Sequence, residues 1–90
     1  MRTIHRSSKF KTDFKKVKLT ESDYSLLKER LESLVKGRRI SRNLNDHPLS
    51  GNFKGYRELH IKPDLLLAYK ITKEELRLAR LNSHANIFKK

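Results

Sequence analysis

Cysteine is absent from the 90-residue chain, which removes disulfide staples, thiolate chemistry and cysteine-ligated zinc together. That absence suits a reducing cytoplasm. No apolar run approaches the roughly 18 residues a membrane span requires, and the opening Met1-Arg2-Thr3-Ile4-His5-Arg6 has no signal-type apolar segment. The expectation is a cytoplasmic protein that does not enter a membrane. Phosphate-cradling glycine loops, nucleophile elbows and zinc-protease helices are missing as well. Acid is scarce: 10 Asp and Glu stand against 22 Lys and Arg, a formal net charge of +12. So large an imbalance repels itself in a compact state and suits a polyanionic partner, most often nucleic acid, with an anionic membrane surface or an acidic protein as the competing classes. Residues 1–90 form one domain, because two halves would each be too small to bury a useful core without metals or disulfides.

What the chain does contain is concentrated between Asp46 and Asp64, where two of the four histidines, both prolines and two of the three glycines fall. Glycine and proline fix backbone direction, and histidine with carboxylate can exchange protons near neutral pH. The flanking pattern predicts an α+β domain. Arg2 to Arg6 reads as an N-terminal strand ending at Ser7-Ser8. Phe10, Phe14 and Val17, spaced i, i+4, i+7 among lysines, predict a basic amphipathic helix. Thr20-Glu21-Ser22-Asp23 caps a second helix whose stripe is Tyr24, Leu27, Leu31, Leu34 and Val35, closed by Lys36-Gly37-Arg38-Arg39.

Two helices joined by a short link should form a hairpin. Ile40 to Gly55 reads as a long loop, and Tyr56 to Ile61 as an alternating strand with Tyr56, Glu58 and His60 on one face and Arg57, Leu59 and Ile61 on the other. Lys62-Pro63-Asp64 is a turn. The nearly continuous apolar run Leu65 to Ile71 predicts a central strand buried on both faces, and Leu76 to Leu81 a further strand before a short C-terminal helical turn. The order is β-α-α-β-β-β, with a helical hairpin on one face of a mainly antiparallel sheet.

Glu58 and His60, two apart on a strand, project to the same side. If Pro63 turns the chain, Asp64 returns beside His60. A carboxylate there stabilises imidazolium and helps a proton-transfer group work near neutral pH. His47 alone reads as a loop residue before Pro48, and His84 is placed by following Arg80 closely. Phe88 reads first as a core anchor; exposed among cations it would instead stack on a base. Histidine spacings of thirteen and twenty-four residues match no common metal-ligand motif, so no metal or other cofactor is expected. Histidines, carboxylates and arginine on a strongly cationic domain fit RNA transesterification. A base takes the ribose 2′-OH proton, an acid protonates the leaving 5′-oxygen, and cations hold the charge.

The motifs Asp46-His47-Pro48-Leu49-x-Gly51, Gly55-Tyr56-Arg57-Glu58-x-His60-x-x-Pro63-Asp64, Leu67-x-Tyr69-Lys70 and Arg80-Leu81-x-Ser83-His84-x-x-x-Phe88 closely resemble the YafQ branch of the RelE-like bacterial toxins. The resemblance covers nearly the whole chain in order. It implies a RelE-like fold and the toxin of a type II toxin–antitoxin pair, an endoribonuclease (mRNA interferase) acting on mRNA in the ribosomal A site. It also implies a cognate antitoxin, with DNA contacted only through that antitoxin. By the same resemblance His47, His60, Asp64 and His84 match catalytic positions, Glu58 an acidic one, Arg80 a phosphate-stabilising cation and Phe88 a substrate-contacting aromatic. Arg57 and Lys62 join Phe88 as expected RNA-binding residues. His60 with Asp64 or Glu58 would serve as base and His84 as acid. Some relatives carry tryptophan after the aspartate, where this chain has Leu65. The alternatives are a non-catalytic RNA- or ribosome-binding module and a basic protein that receives an acidic partner.

Overall fold

The apolar run expected as a buried strand is β4 (Leu65–Ile71), and the sheet is built outward from both of its edges. The computed structural model describes residues 2–37, 47–49 and 54–87. Within them the order is β1 (Thr3–Arg6), α1 (Ser8–Lys16), α2 (Glu21–Val35), β2 (His47–Pro48), β3 (Arg57–Lys62), β4, β5 (Glu75–Asn82) and α3 (His84–Ile87). The strands lie β1-β5-β4-β3-β2, with β1 parallel to β5 and the remaining pairs antiparallel. The α+β class and the helical hairpin on a mainly antiparallel sheet are as the sequence predicts. One strand is additional. The stretch from Ile40 to Gly55 reads as a loop, yet His47 pairs with Glu58 and Pro48 with Arg57. Two residues ending in proline carry no alternation that could announce a strand. Most of that predicted loop lies outside the described residues.

Ser7 starts α1 by accepting from the Phe10 amide at 2.9 Å, while its hydroxyl donates to the Ala79 carbonyl at 2.8 Å and ties the helix to β5. The predicted stripe is only partly inward: Phe10 is buried, Phe14 is 37% exposed, and Asp13 is buried in the helix's inner face. The cause lies in β5, which outruns β1. β1 ends at Arg6 opposite Leu78, so the β5 edge from Ala79 to Asn82 is covered by α1, whose inward groups must satisfy strand amides as well as pack.

α2 begins with a complete capping box: Thr20 Oγ1 accepts from the Asp23 amide at 3.0 Å and Asp23 Oδ2 accepts from the Thr20 amide at 3.1 Å. Leu27 and Leu34 are buried with Phe10 against Leu59, Ile61, Leu65, Leu67, Tyr69, Leu76, Leu78 and Leu81, and Leu31 and Val35 pack at the margin. Tyr24, the first residue of the predicted stripe, is instead 53% exposed and meets the ring of Phe14 edge-on. After α2 the chain leaves through Gly37, whose φ of +74° favours glycine, with its amide bonded to the Leu34 carbonyl. Thr20→Ala removes one half of the box and is expected to cost about 1 kcal/mol. A lower urea midpoint at unchanged m-value checks this; an unchanged midpoint would show the box to be idle.

Two register shifts decide which face each polar side chain uses. In β3, His60 pairs with Leu66 and Lys62 with Leu65, leaving Ile61 as the extra residue. In β5, Arg80 pairs with Ala68 and Leu78 with Tyr69, leaving Ala79 extra. The second shift lets Leu76, Leu78 and Leu81 all reach the helix-side core while Arg80 and Asn82 turn to the opposite face.

Candidate active site

Away from the helices, the register assembles two cross-strand rows. Glu58, Ala68 and Arg80 stand opposite one another across β3, β4 and β5, with the backbone of His47 paired to Glu58 at the edge, and His60, Leu66 and Asn82 form the next row. Neighbours within a row lie close enough to act together, about 4.5–5.5 Å between Cβ atoms. The predicted partnership of Glu58 and His60 is observed: His60 Nε2 lies 3.3 Å from Glu58 Oε1. Glu58 is buried and His60 half-buried, so the carboxylate is fixed beneath a ring that still reaches solvent. If Nε2–H donates to Glu58, the second ring nitrogen, Nδ1, carries the lone pair a general base needs.

Asp64 does not supply the carboxylate beside His60. The Ile61 bulge brings Lys62 opposite Leu65 and leaves Pro63 and Asp64 as the turn itself, where Asp64 is exposed and has no hydrogen-bond or ion-pair partner among the described residues. The same bulge turns Lys62 to the helix side, where its Nζ sits 3.0 Å from Asp23 Oδ2. That contact, followed by the Thr20 amide bond, holds the Asp23 carboxyl below the usual carboxylate range despite partial desolvation. Arg57 alternates with Glu58 and so projects to the face opposite His60. Of the three expected RNA-binding residues, Arg57 and Lys62 therefore lie off the His60 face, and Phe88 is outside the described residues. So is the side chain of His47, whose backbone is placed by β2.

Arg80 is on the His60 face and is bound. Its Nε and Nη2 donate to the two oxygens of Asp13 at 2.7 and 3.1 Å, a fork-shaped ion pair. The Leu81 amide adds a bond at 3.0 Å and Asn82 Nδ2 another at 3.2 Å to the same carboxylate. Burial works against the Asp13 charge, but the hydrogen bonds from Arg80, Leu81 and Asn82 outweigh it and hold the carboxyl below its ordinary range; Asp13 in turn raises the Arg80 pKa. Asn82 Oδ1 then accepts from the Ser83 amide at 2.8 Å and from Asn86 Nδ2 at 2.9 Å, which fixes the start of α3. His84, exposed, is the first residue of that turn.

Three contributors escaped sequence reasoning. Asp13 sits among lysines on a basic helix, and only its place three residues after Phe10, on the buried side, hints at a role. Asn82 meets Asp13 from 69 positions away, a link that no local pattern announces. Lys70, which shares its face with Ala68 by alternation, lies 5.7 Å from the centroid of the Tyr56 ring and adds a cation near the first row. Its place in the motif Leu67-x-Tyr69-Lys70 marks it in the sequence without giving it a role. Among the described residues no three His, Cys, Asp or Glu side chains group as a metal site, and no helix is long and apolar enough to cross a membrane.

The chain has known relatives in sequence and in fold. The family model of the bacterial toxin of type II toxin–antitoxin systems, YafQ, matches residues 2–89. The mRNA interferase toxin YafQ of Escherichia coli is 35% identical over 88 residues, 97% of this chain and 96% of that protein. Among solved structures, a chain of the Escherichia coli DinJ-YafQ complex superposes with a TM-score of 0.85 at 35% identity, covering 98% of this chain and 99% of that one. A copper-bound mutant toxin from Helicobacter pylori gives 0.89 at 39%, covering 98% and 100%. Since the match omits only the first and last residues and takes in both rows of the sheet, the chain belongs to the YafQ family of toxins of bacterial type II toxin–antitoxin systems.

Proposed function

We propose that the chain is an endoribonuclease, an mRNA interferase that cuts mRNA in the ribosomal A site by metal-independent attack of a ribose 2′-OH on the adjacent phosphate. It works in the cytoplasm and is neutralised by a cognate antitoxin, through which alone it contacts DNA. The observation that carries the chemistry is the His60–Glu58 contact on the same sheet face as Arg80. Glu58 holds His60 through Nε2, and Nδ1 takes the 2′-OH proton. The 2′-oxygen bonds to phosphorus, the bond to the 5′-oxygen breaks, and His84 gives that oxygen its proton. Arg80 donates hydrogen bonds to the non-bridging oxygens as their charge builds. His47 borders the same row, and Phe88 stacks on a neighbouring base. Asp64, at the turn, approaches the substrate rather than His60. Arg57 and Lys62 contribute only to the general cationic surface.

The 3.3 Å contact is long for a charge-assisted bond, as expected of a site that tightens only around substrate. This mechanism fixes the products as a 2′,3′-cyclic phosphate and a 5′-hydroxyl. Brief induction followed by mapping of mRNA ends is expected to give 5′-hydroxyl termini, and cleavage by the purified protein on mRNA-programmed ribosomes should leave a 2′,3′-cyclic phosphate on the upstream fragment. Ends bearing 5′-phosphate, or an upstream fragment ending in a 3′-hydroxyl, would defeat the proposed chemistry. Intact mRNA with soluble protein present would leave a binding module instead.

A further inference from the structure

Asp13 accepts four hydrogen bonds from β5, and no step above uses it. Repairing the strand edge alone would need one acceptor for the Leu81 amide, which a neutral side chain could supply without the desolvation cost of a buried carboxylate. Two further features set Asp13 apart. Its fork on Nε and Nη2 leaves Nη1 as the one guanidinium nitrogen of Arg80 with both hydrogens unengaged among the described residues. Its fourth bond, through Asn82, continues to Ser83 and Asn86 and so sets the start of the turn that carries His84.

We propose that Asp13 is a positioning residue for the reaction, aiming Arg80 at the scissile phosphate and, through Asn82, fixing the turn that presents His84. The inference rests on the endoribonuclease reading. An arginine on a long flexible stem is pre-organised for a phosphate only when part of its fork is already anchored. The pairing also has an electrostatic side, because the carboxylate cancels the charge that Arg80 would otherwise offer to RNA.

The two effects of Asp13 oppose each other, and this makes the test sharp. Asp13→Asn removes a negative charge near a polyanion. If charge alone mattered, RNA would bind more tightly and be cut at least as fast. If positioning matters, kcat falls while KM stays level or drops. On mRNA-programmed ribosomes, at a temperature where circular dichroism shows the variants folded, Asp13→Asn and Asn82→Ala are each expected to lower kcat at least about tenfold, the scale of a misplaced catalytic group.

Undiminished kcat in folded Asp13→Asn overturns the proposal. A loss there with none in Asn82→Ala overturns the link to His84. Should Asp13→Asn not fold, Asp13→Glu takes its place, since it keeps the charge while displacing the fork on Arg80, and an undiminished kcat there overturns the proposal. An inactive wild type would instead remove the endoribonuclease reading, and this inference with it.

Discussion

His60→Gln is expected to slow RNA cleavage by about 10²–10⁴-fold, the usual worth of a general base, while leaving the melting temperature nearly unchanged. The substitution separates the roles of the two nitrogens of the ring. A glutamine amide can still donate to Glu58 Oε1, where His60 Nε2 now sits at 3.3 Å, so the buried carboxylate keeps a partner and the fold keeps its contact. What glutamine cannot do is take a proton at the position of Nδ1. Glu58→Gln should be milder, because the ring keeps a neighbour but loses the charge that orients and stabilises it once protonated. The measurement is the single-turnover rate of 5′-hydroxyl end formation beside a thermal melt. A His60→Gln enzyme cutting within tenfold of wild type would remove His60 as the base.

The sequence made one half of this site readable and hid the other for identifiable reasons. β3 alternates cleanly, so the shared face of Glu58 and His60 followed from a period of two residues, and the apolar run of β4 marked the centre of the sheet. Counting by two along β5 places Arg80 with Leu76 and Leu78, facing the core. Only the bulge at Ala79 turns it outward, and nothing in Leu78-Ala79-Arg80 signals a bulge. The bulge at Ile61 likewise sent Lys62 to Asp23 and kept Asp64 from His60. Asp13 was hidden because its partners lie 67 to 69 positions away. Local periodicity contains no term for such pairing, and Phe14, which the helical stripe placed inside, lies at the surface instead.

Asp13→Ala is expected to be the most destabilising change at the site, about 3 kcal/mol, because it strands a mostly buried guanidinium and leaves the Leu81 amide without its acceptor. For a domain of this size that is a fall in melting temperature of roughly 10 °C or more. The sign of the pH dependence follows from the same bonds. Asp13 has a folded pKa below its unfolded value, so between the two the native state holds fewer protons than the unfolded chain. Its contribution is complete above the unfolded pKa, near 4, and disappears as pH falls through the folded one. Asp23, lowered chiefly by Lys62, acts in the same direction.

Wild type should therefore lose stability steeply as pH drops below about 4.5, and Asp13→Ala should be weaker at neutral pH yet less sensitive to acid. Replacing both members of the pair by leucine should restore much of the stability without restoring cleavage, since buried ion pairs are often matched by apolar packing of similar volume. Urea midpoints measured across the acid range for the three proteins check these expectations together. Parallel curves for wild type and Asp13→Ala would show that the carboxylate titrates alike in folded and unfolded chains, and the anchoring assigned to Asp13 would then be wrong.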